Sequence, residues 1–405
     1  MKRVSSLSLM AAMLLALSVL LSACGGATPT TTTGSGSTGT TDQATATAGT
    51  SGGTGGASDP AAALKGLETQ VYSTGPNGEK PTSASEVKLT DAELAKVKGM
   101  NATAAIVLHY AGNDWSTAQV DGLKTQFASL GINVIAVTDA NFKPEKQVSD
   151  LETVLAKKPN IIVSIPTDPV ATADAYKKAA DAGVKLVFMD NVPKGLVQGK
   201  DYVSVVSADN YGNGVAAGHL MAQALGSKGK IGLIFHSADF FVTKQRYDAF
   251  KKTIQDNYKD IQIVAEQGIG GPDFAGDAEK VASAMLTKNP DLNGIWGVWD
   301  VPSEGIMAAV RSSGRTDLIV TTCDLGKNVA IEMAKGGMIK GLGAQRPFDQ
   351  GVAEANLAAY GLLGKTAPSY VALNALPVTK GNVLESWKTV YHQDAPADLK
   401  AAAGK

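Results

Sequence analysis

From Ala104 onward the chain alternates between two rhythms. Short, almost unbroken apolar runs are separated by longer segments whose apolar positions recur every three or four residues. A short apolar run suits a strand buried on both faces of a sheet, and the longer rhythm suits an amphipathic helix packed over it. Strands are therefore expected at 104–108, 133–137, 161–165, 185–189, 202–206, 230–235, 262–266, 294–298, 318–322 and 339–343. The helices between them fall near 116–130, 144–157, 170–182, 213–225, 242–256, 275–287, 302–312, 326–335 and 349–363, and a last apolar stretch covers 370–378. Strands alternating with helices of this length form βαβ units on parallel sheets. Before Ala104 the pattern is poorer. Thr90 followed by Asp91, Ala92 and Glu93 reads as an N-cap with acidic first-turn residues, giving a short helix to about Lys98. The pattern assigns no role to Pro60–Val87.

The stretch Lys185–Asn191, Lys-Leu-Val-Phe-Met-Asp-Asn, ends a buried run on a carboxylate. In open α/β sheets, polar residues just past a strand's carboxyl end face the ligand crevice. Asp190 is thus a candidate site residue, although Asp and Asn are also turn residues and Pro193 follows closely. The chain then repeats itself. A run from Lys158-Pro159-Asn160 to Asp168 leads through a helix to the strand ending at Asp190. A run from Asn289-Pro290-Asp291 to Asp300 leads through a helix to the strand ending at Asp324, at nearly the same spacing. One copy lies early and one late, which fits two similar lobes with a parallel sheet each better than one long sheet. Strand ends from both lobes would face a shared cleft, with Asp190 on one wall and Asp324 on the other.

Composition narrows the class. The chain has 405 residues and a formal net charge of −1, long enough for two cores and without the basic balance that nucleic acid calls for. Two cysteines, Cys24 and Cys323, permit neither a disulfide framework nor a thiolate zinc site, and none of the four histidines sits at metal-ligand spacing from another. The N-terminus carries Lys2 and Arg3, an apolar run from Leu7 to Leu21, then Leu21-Ser22-Ala23-Cys24. A short basic region, an apolar core and small residues make a secretory signal peptide over 1–23, the run being short for a spanning helix. Gly25–Ser58 is almost only Thr, Gly, Ser and Ala, which cannot bury a core and reads as a disordered tether. Such a linker reaches roughly 30–35 Å root-mean-square, from ~5–6 Å × √n.

Aromatic and hydrogen-bonding residues gather near the strand ends: Asn113 and Trp115, Asp190 and Asn191, then Arg246, Phe274, Trp299, Asp324 and Gln345. A monosaccharide presents C–H faces that suit a flat apolar ring and a hydroxyl rim that needs directed donors and acceptors. Carboxylates accept from hydroxyls and an Arg fork donates to them, in charge-assisted bonds about twice as strong as neutral ones. Each residue also has a plainer reading. Trp115 and Trp299 could be core, and Arg246 could pair at the surface with Asp239 or Asp248. Gly212-Asn213-Gly214-Val215-Ala216-Ala217 fits a loose dinucleotide fingerprint, but the next strand ends at Phe235-His236, where an acid is wanted; a helix cap explains the glycines better. Cys323, without a partner, reads as a buried structural thiol.

With these residues in hand, the chain from about Ala104 to Lys380 resembles bacterial sugar-binding proteins of the ribose-binding type, the type I periplasmic-binding-protein fold. The resemblance is carried by Asn113-Asp114-Trp115, Phe188-Met189-Asp190, Ser207-Ala208-Asp209-Asn210, Lys244–Phe250, Pro272-Asp273-Phe274, Val298-Trp299-Asp300, Cys323-Asp324 and Gly343–Pro347. It implies an α/β chain of two Rossmann-like lobes joined by three crossing strands, near Ala208–Asp209, Gln345–Arg346 and Leu373–Asn374. The lobes would be 59–208 with 346–373, and 209–345 with 374–405. It implies that Asn113, Trp115, Asp190, Asn191, Arg246, Phe274, Trp299, Asp324 and Gln345 hold the sugar, with no catalytic residue, cofactor or metal. Three positions depart from the family pattern. Ser116 follows Trp115 where a second aromatic is expected, Asn191 stands for an Arg, and Trp299 stands for an Asn. Another pentose, a hexose or an alditol is therefore expected in place of ribose, with Asn191 as the point where specificity differs.

Leu-Ser-Ala-Cys24 resembles a bacterial lipobox, which implies a lipidated Cys24 and an extracytoplasmic body tethered to a membrane. The resemblance also implies a monomer that hands its ligand to an ABC permease driven by a separate ATPase. A receptor of the same fold serving a sensor kinase or chemoreceptor shares all these features. A regulator of the lactose-repressor type would need an N-terminal helix-turn-helix where residues 1–58 place a lipobox and tether. A glycoside hydrolase would need two carboxylates about 5–10 Å apart, which Asp190 and Asp324 could supply.

Overall fold

The computed structural model describes residues 59–405. The segments expected to be a signal peptide and a tether, with Cys24 between them, lie outside the described residues. The first elements are α1 (Pro60–Gly66), a two-residue strand β1 (Thr82–Ser83) and α2 (Asp91–Lys98). Then come β2 (Thr103–Leu108), α3 (Asp114–Ser129), β3 (Asn133–Asp139), α4 (Pro144–Ala156), β4 (Ile161–Ser164), α5 (Ala173–Asp181), β5 (Lys185–Met189) and β6 (Ser204–Ala208). The series restarts with α6 (Asn210–Leu225), β7 (Gly229–His236), α7 (Phe241–Asn257), β8 (Ile261–Ile269), α8 (Phe274–Lys288), β9 (Gly294–Gly297) and α9 (Asp300–Ser312). After these follow β10 (Ile319–Cys323), α10 (Lys327–Ala334), β11 (Ile339–Ala344), α11 (Pro347–Leu363), β12 (Tyr370–Leu373), β13 (Leu376–Val378), α12 (Val383–Tyr391) and α13 (Ala397–Ala402).

The strands form two sheets, ordered β1-β12-β6-β5-β4-β2-β3 and β13-β11-β10-β9-β7-β8. Pairing is parallel throughout except between β11 and β13. The two orders superimpose element for element from β6 to β3 and from β11 to β8, so the repeat seen in the sequence is a repeat of topology. Every residue of β4, β6, β9 and β12 is buried, as short Val- and Ile-rich strands covered by helices on both faces must be. β8, at a sheet edge, alternates half-buried and exposed positions between its buried ends, Ile261 and Ile269, along part of its length. The chain passes between sheets after β6, after β11 and between β12 and β13. The apolar stretch 370–378 is accordingly two strands in different sheets rather than one element.

Two local features position the site. Asp209, fully buried, caps α6 by accepting from Gly212 N at 2.8 Å. A Cβ at Gly212 would strike that carboxylate, and one at Gly214 would strike the carbonyl of Arg246 on the neighbouring α7. These glycines therefore serve a cap and a close helix contact, not a phosphate cradle. The second feature is the segment that the hydrophobic pattern left unassigned. α1 packs on α6, with Leu67 buried against Ala216 and Ala375. Tyr72 N and Ser73 N then donate to Asp209 at 2.9 and 2.8 Å, and Ser73 Oγ adds a third bond at 2.8 Å. β1 finally joins the first sheet beside β12. Residues 59–83 are thus a strap fastened to both halves across the first passage between sheets.

Candidate functional site

Asp190 follows β5, and its backbone N donates to Val206 O of the adjacent β6 at 2.8 Å. Asp324 follows β10, and its N donates to Gly343 O of the adjacent β11 at 3.0 Å. Both residues are left-handed, with φ of 56° and 66°. Asp is one of the few residues that tolerate this conformation, because its short polar side chain can bond locally. The two carboxylates therefore occupy equivalent turns at equivalent strand ends.

A cavity of about 200 Å³ lies where these ends meet. Asn113, Trp115 and Asp190 line it from the first-sheet half, and Arg246, Phe274, Trp299, Asp324 and Gln345 from the second. Eight of the nine residues singled out in the sequence are thus brought together. The ninth is a correction. Asn191 is buried but does not line the cavity; its Nδ2 donates to Pro166 O at 3.3 Å in the β4–α5 loop. The left-handed turn at Asp190 leaves the carboxylate on the cavity and turns the next amide into the protein.

Arg246 is 2% exposed, which removes the surface-pair reading. Its Nη1 and Nη2 donate to Asp324 Oδ2 and Oδ1 at 2.9 and 3.2 Å, a two-point fork. Gln345 Nε2 donates to Asp324 Oδ1 at 3.0 Å. Arg246 Nε donates to Asn210 Oδ1 at 3.0 Å, Asn210 Nδ2 to Ser207 Oγ at 3.0 Å, and Ser207 Oγ to Asp190 Oδ1 at 2.5 Å. A continuous chain of polar side chains therefore joins the two walls through the first passage. Ser207 and Asn210 were visible as a motif, but nothing in the sequence marked them as the link. Burial pushes the Asp190 carboxyl up to about 6, with the Ser207 hydroxyl and the Arg246 charge pulling it partway back. Burial works against the Arg246 charge too, but the charge and hydrogen bonds of Asp324, with Cys323 and Asp190, together outweigh it and hold the guanidinium protonated. Behind the wall, burial and then the Asp324 charge raise the Asp300 carboxyl. Burial takes the Cys323 thiol up to about 12, so this lone cysteine is inert.

The rest of the lining is aromatic, and most of it escaped sequence reasoning. His109, Tyr110, Phe142, His236 and Phe240 join the expected rings. His109 stacks on Phe240 at 5.9 Å and meets Phe142 edge-on at 4.9 Å; Phe142 meets Phe274 at 5.4 Å. Phe274 lies 4.9 Å from Trp299 and 5.5 Å from His236, which lies 6.1 Å from Phe240. The rings close on themselves across the two halves. Phe142, after β3, packs on the core of the second half, while Phe240, after β7, packs on the core of the first. All five residues sit at or just past a strand's carboxyl end, so the rule that found Asp190 could have found them. Burial takes the His109 imidazole down to about 3, with His236 next in effect, and burial also lowers His236. Trp115 Nε1, His109 Nδ1 and Gln345 Oε1 are buried without a hydrogen-bond partner among the described residues. Such atoms cost about 1–3 kcal/mol each unless something meets them. An amphipathic small molecule with directed hydroxyls is what this enclosure can hold.

Residues 104–366 match a family described as the periplasmic binding protein domain. The chain belongs to this family. The D-apiose import binding protein of Actinobacillus succinogenes is 28% identical over 276 residues, covering 67% of this chain and 85% of its own length. The ribose import binding protein of Salmonella typhimurium is 25% identical over 249 residues, 60% and 79% of the two chains. A solute-binding protein of an ABC transporter from Agrobacterium vitis, solved with α-D-tagatopyranose, superimposes with a TM-score of 0.66 at 26% identity, over 72% of this chain and 99% of that one. The fold is the type I periplasmic-binding-protein fold, and the family consists of extracytoplasmic binding proteins, not enzymes. The hydrolase reading of the paired carboxylates is thereby set aside. In this periplasmic binding protein the strap of residues 59–83 precedes the matched region entirely.

Proposed function

We propose that this periplasmic binding protein captures a monosaccharide or alditol between its two halves and presents it to an ABC permease driven by a separate ATPase. One observation carries the reading: two equivalent strand-end carboxylates, Asp190 and Asp324, line the same cavity as a cluster of aromatic side chains drawn from both halves. The eight lining residues that the sequence nominated would contact the ligand, hydroxyls on the polar side and C–H faces on Trp115, Phe274 and Trp299. The relatives named for apiose and ribose import, and the neighbour holding a tagatose, support the class. The lobes are taken as 59–208 with 346–373, and 209–345 with 374–405, hinged at the three passages. Ligand stabilises the closed form because only closure brings both walls onto it. The body works as a monomer, tethered to a membrane through a lipid on Cys24.

A thermal-shift screen of pentoses, hexoses and alditols tests the binding role, since a ligand that binds only the folded state raises its melting temperature. At least one should do so by several degrees; no shift across the whole panel sinks the reading. The anchor is tested separately. Cys24→Ser should move the protein from the membrane fraction to the soluble one, and retention in the membrane would rule out a lipid on Cys24.

A further inference from the structure

The charges on the cavity wall do not balance. Asp190 and Asp324 bring two carboxylates, and Arg246 is the one guanidinium or ammonium group among the described lining residues. That cation is committed mainly to the other wall: both terminal nitrogens engage Asp324, Nη1 also reaches Val298 O at 3.4 Å, and Nε engages Asn210, so among the described residues it makes no hydrogen bond to Asp190. Asp190, 2% exposed, receives one hydrogen bond from the described residues, Ser207 Oγ onto Oδ1, and none of the described residues donates to its Oδ2. The two histidines do not make up the difference, because burial drives both imidazoles towards the neutral form. Position 191 does not either; it is an Asn whose amide is used on Pro166 O outside the cavity. Asp273, on the exposed rim, adds negative charge. The Arg246 charge offsets the burial of the Asp190 carboxylate only partway, and a cationic partner in direct contact relieves the rest.

The same cavity supplies the other half of an ammonium site. Phe142, Phe274 and Trp299 all line the cavity, and because Trp299 and Phe274 meet at 68° and Phe142 and Phe274 at 71°, the rings are set at different orientations around it. Aromatic faces carry the negative end of a quadrupole and attract a cation. Gln345 Oε1, buried and unpartnered, is a further acceptor waiting for a donor. We propose that the ligand is a monosaccharide or short polyol bearing a protonated amino group. The ammonium lies between Asp190 Oδ2 and the aromatic faces, and the hydroxyls meet the Arg246–Asp324–Gln345 side. This rests on the monosaccharide reading above and narrows it. Uronates and sugar phosphates are excluded by the same charge balance, and a neutral sugar leaves Asp190 without a cation in direct contact.

Calorimetric titration of the full chain with matched pairs decides the matter: D-glucosamine against D-glucose, D-galactosamine against D-galactose, and 1-amino-1-deoxy-D-sorbitol against D-sorbitol. At neutral pH at least one amino member should bind tenfold or more tightly than its neutral parent. Asp190→Asn keeps the shape and suits the left-handed turn, as Asn tolerates positive φ. It should shrink the preference to threefold or less. Parents that bind as tightly as their amino partners, a neutral sugar from the wider panel that outbinds every amino compound, or a preference that survives Asp190→Asn would each overturn the amino assignment and leave the monosaccharide reading standing. Silence from every pair and from the whole panel would overturn both. If the variant does not fold, the native-chain pairs decide alone.

Discussion

Asp190 and Asp324 end equivalent strands in the same backbone conformation, yet one carboxylate is gripped by an Arg fork and a Gln amide while the other receives a single hydroxyl. The difference originates one helix away. Arg246 is the sixth residue of α7, counting from Phe241; the sixth residue of α3, counting from Asp114, is Gln119. The sheets share one strand order, so these helices are counterparts. Gln119 is uncharged and fully buried, and its Nε2 donates to Glu354 Oε1 at 2.5 Å. The repeat thus duplicates the scaffold and the carboxylate but not the cation. The second-sheet wall is preassembled, and the first-sheet wall is left open to whatever the ligand supplies.

The largest test of this contrast is Arg246→Met. It strands the Asp324 charge, and urea unfolding should show a loss of roughly 3–5 kcal/mol, the usual cost of breaking a buried pair. A loss under about 1 kcal/mol would mean the second wall does not depend on its fork.

The first wall should answer to pH instead. Asp190 titrates at about 6 when folded against 3.8 ordinarily, so the folded state holds the proton more tightly. Stability from that group is full below about pH 4 and is lost as pH rises through about 6, leaving a cost of roughly 3 kcal/mol at neutral pH. Asp190→Asn, which cannot titrate, should therefore gain on the native chain by up to that amount between about pH 4 and 7. A constant difference across the series would show that Asp190 is not the poorly compensated charge.

Phe142→Ala and Phe240→Ala cut the rings that each half lends to the other. Both side chains are half-buried, so a loss of about 2 kcal/mol is expected, below the range for a fully buried Phe. Ligand release followed by stopped-flow should quicken for both; an effect of one alone would show that closure leans on a single wall. The smallest effect belongs to Ser73→Ala. It touches the strap at Asp209 and neither wall, so it should cost about 1 kcal/mol and leave ligand affinity unchanged. A change in affinity would tie the strap to the cleft.

Much of this was legible residue by residue. The short apolar runs place β4 and β5, Thr90 caps α2 as expected and forms a capping box with Glu93, and the strand-end rule finds both carboxylates. The apolar positions of α12, at Val383, Trp387, Val390 and Tyr391, carried a helix signal that went unused. Asn191 was nominated through the family resemblance, as the position after Asp190, but a left-handed turn separates what adjacent side chains can reach.

Taken alone, the sequence determined which residues are buried, where strands end and which side chains arrive at those ends. Burial periodicity and local turn chemistry are short-range and are written in neighbouring residues. Only the tertiary structure decided the partners. Arg246 lies 78 positions from Asp324, Ser73 lies 136 from Asp209, and the ring around the cavity draws on both halves. Such pairings depend on how whole helices and sheets are set against one another. No local pattern records whether a charge at a strand end will find its counter-ion in the protein or must take it from the ligand.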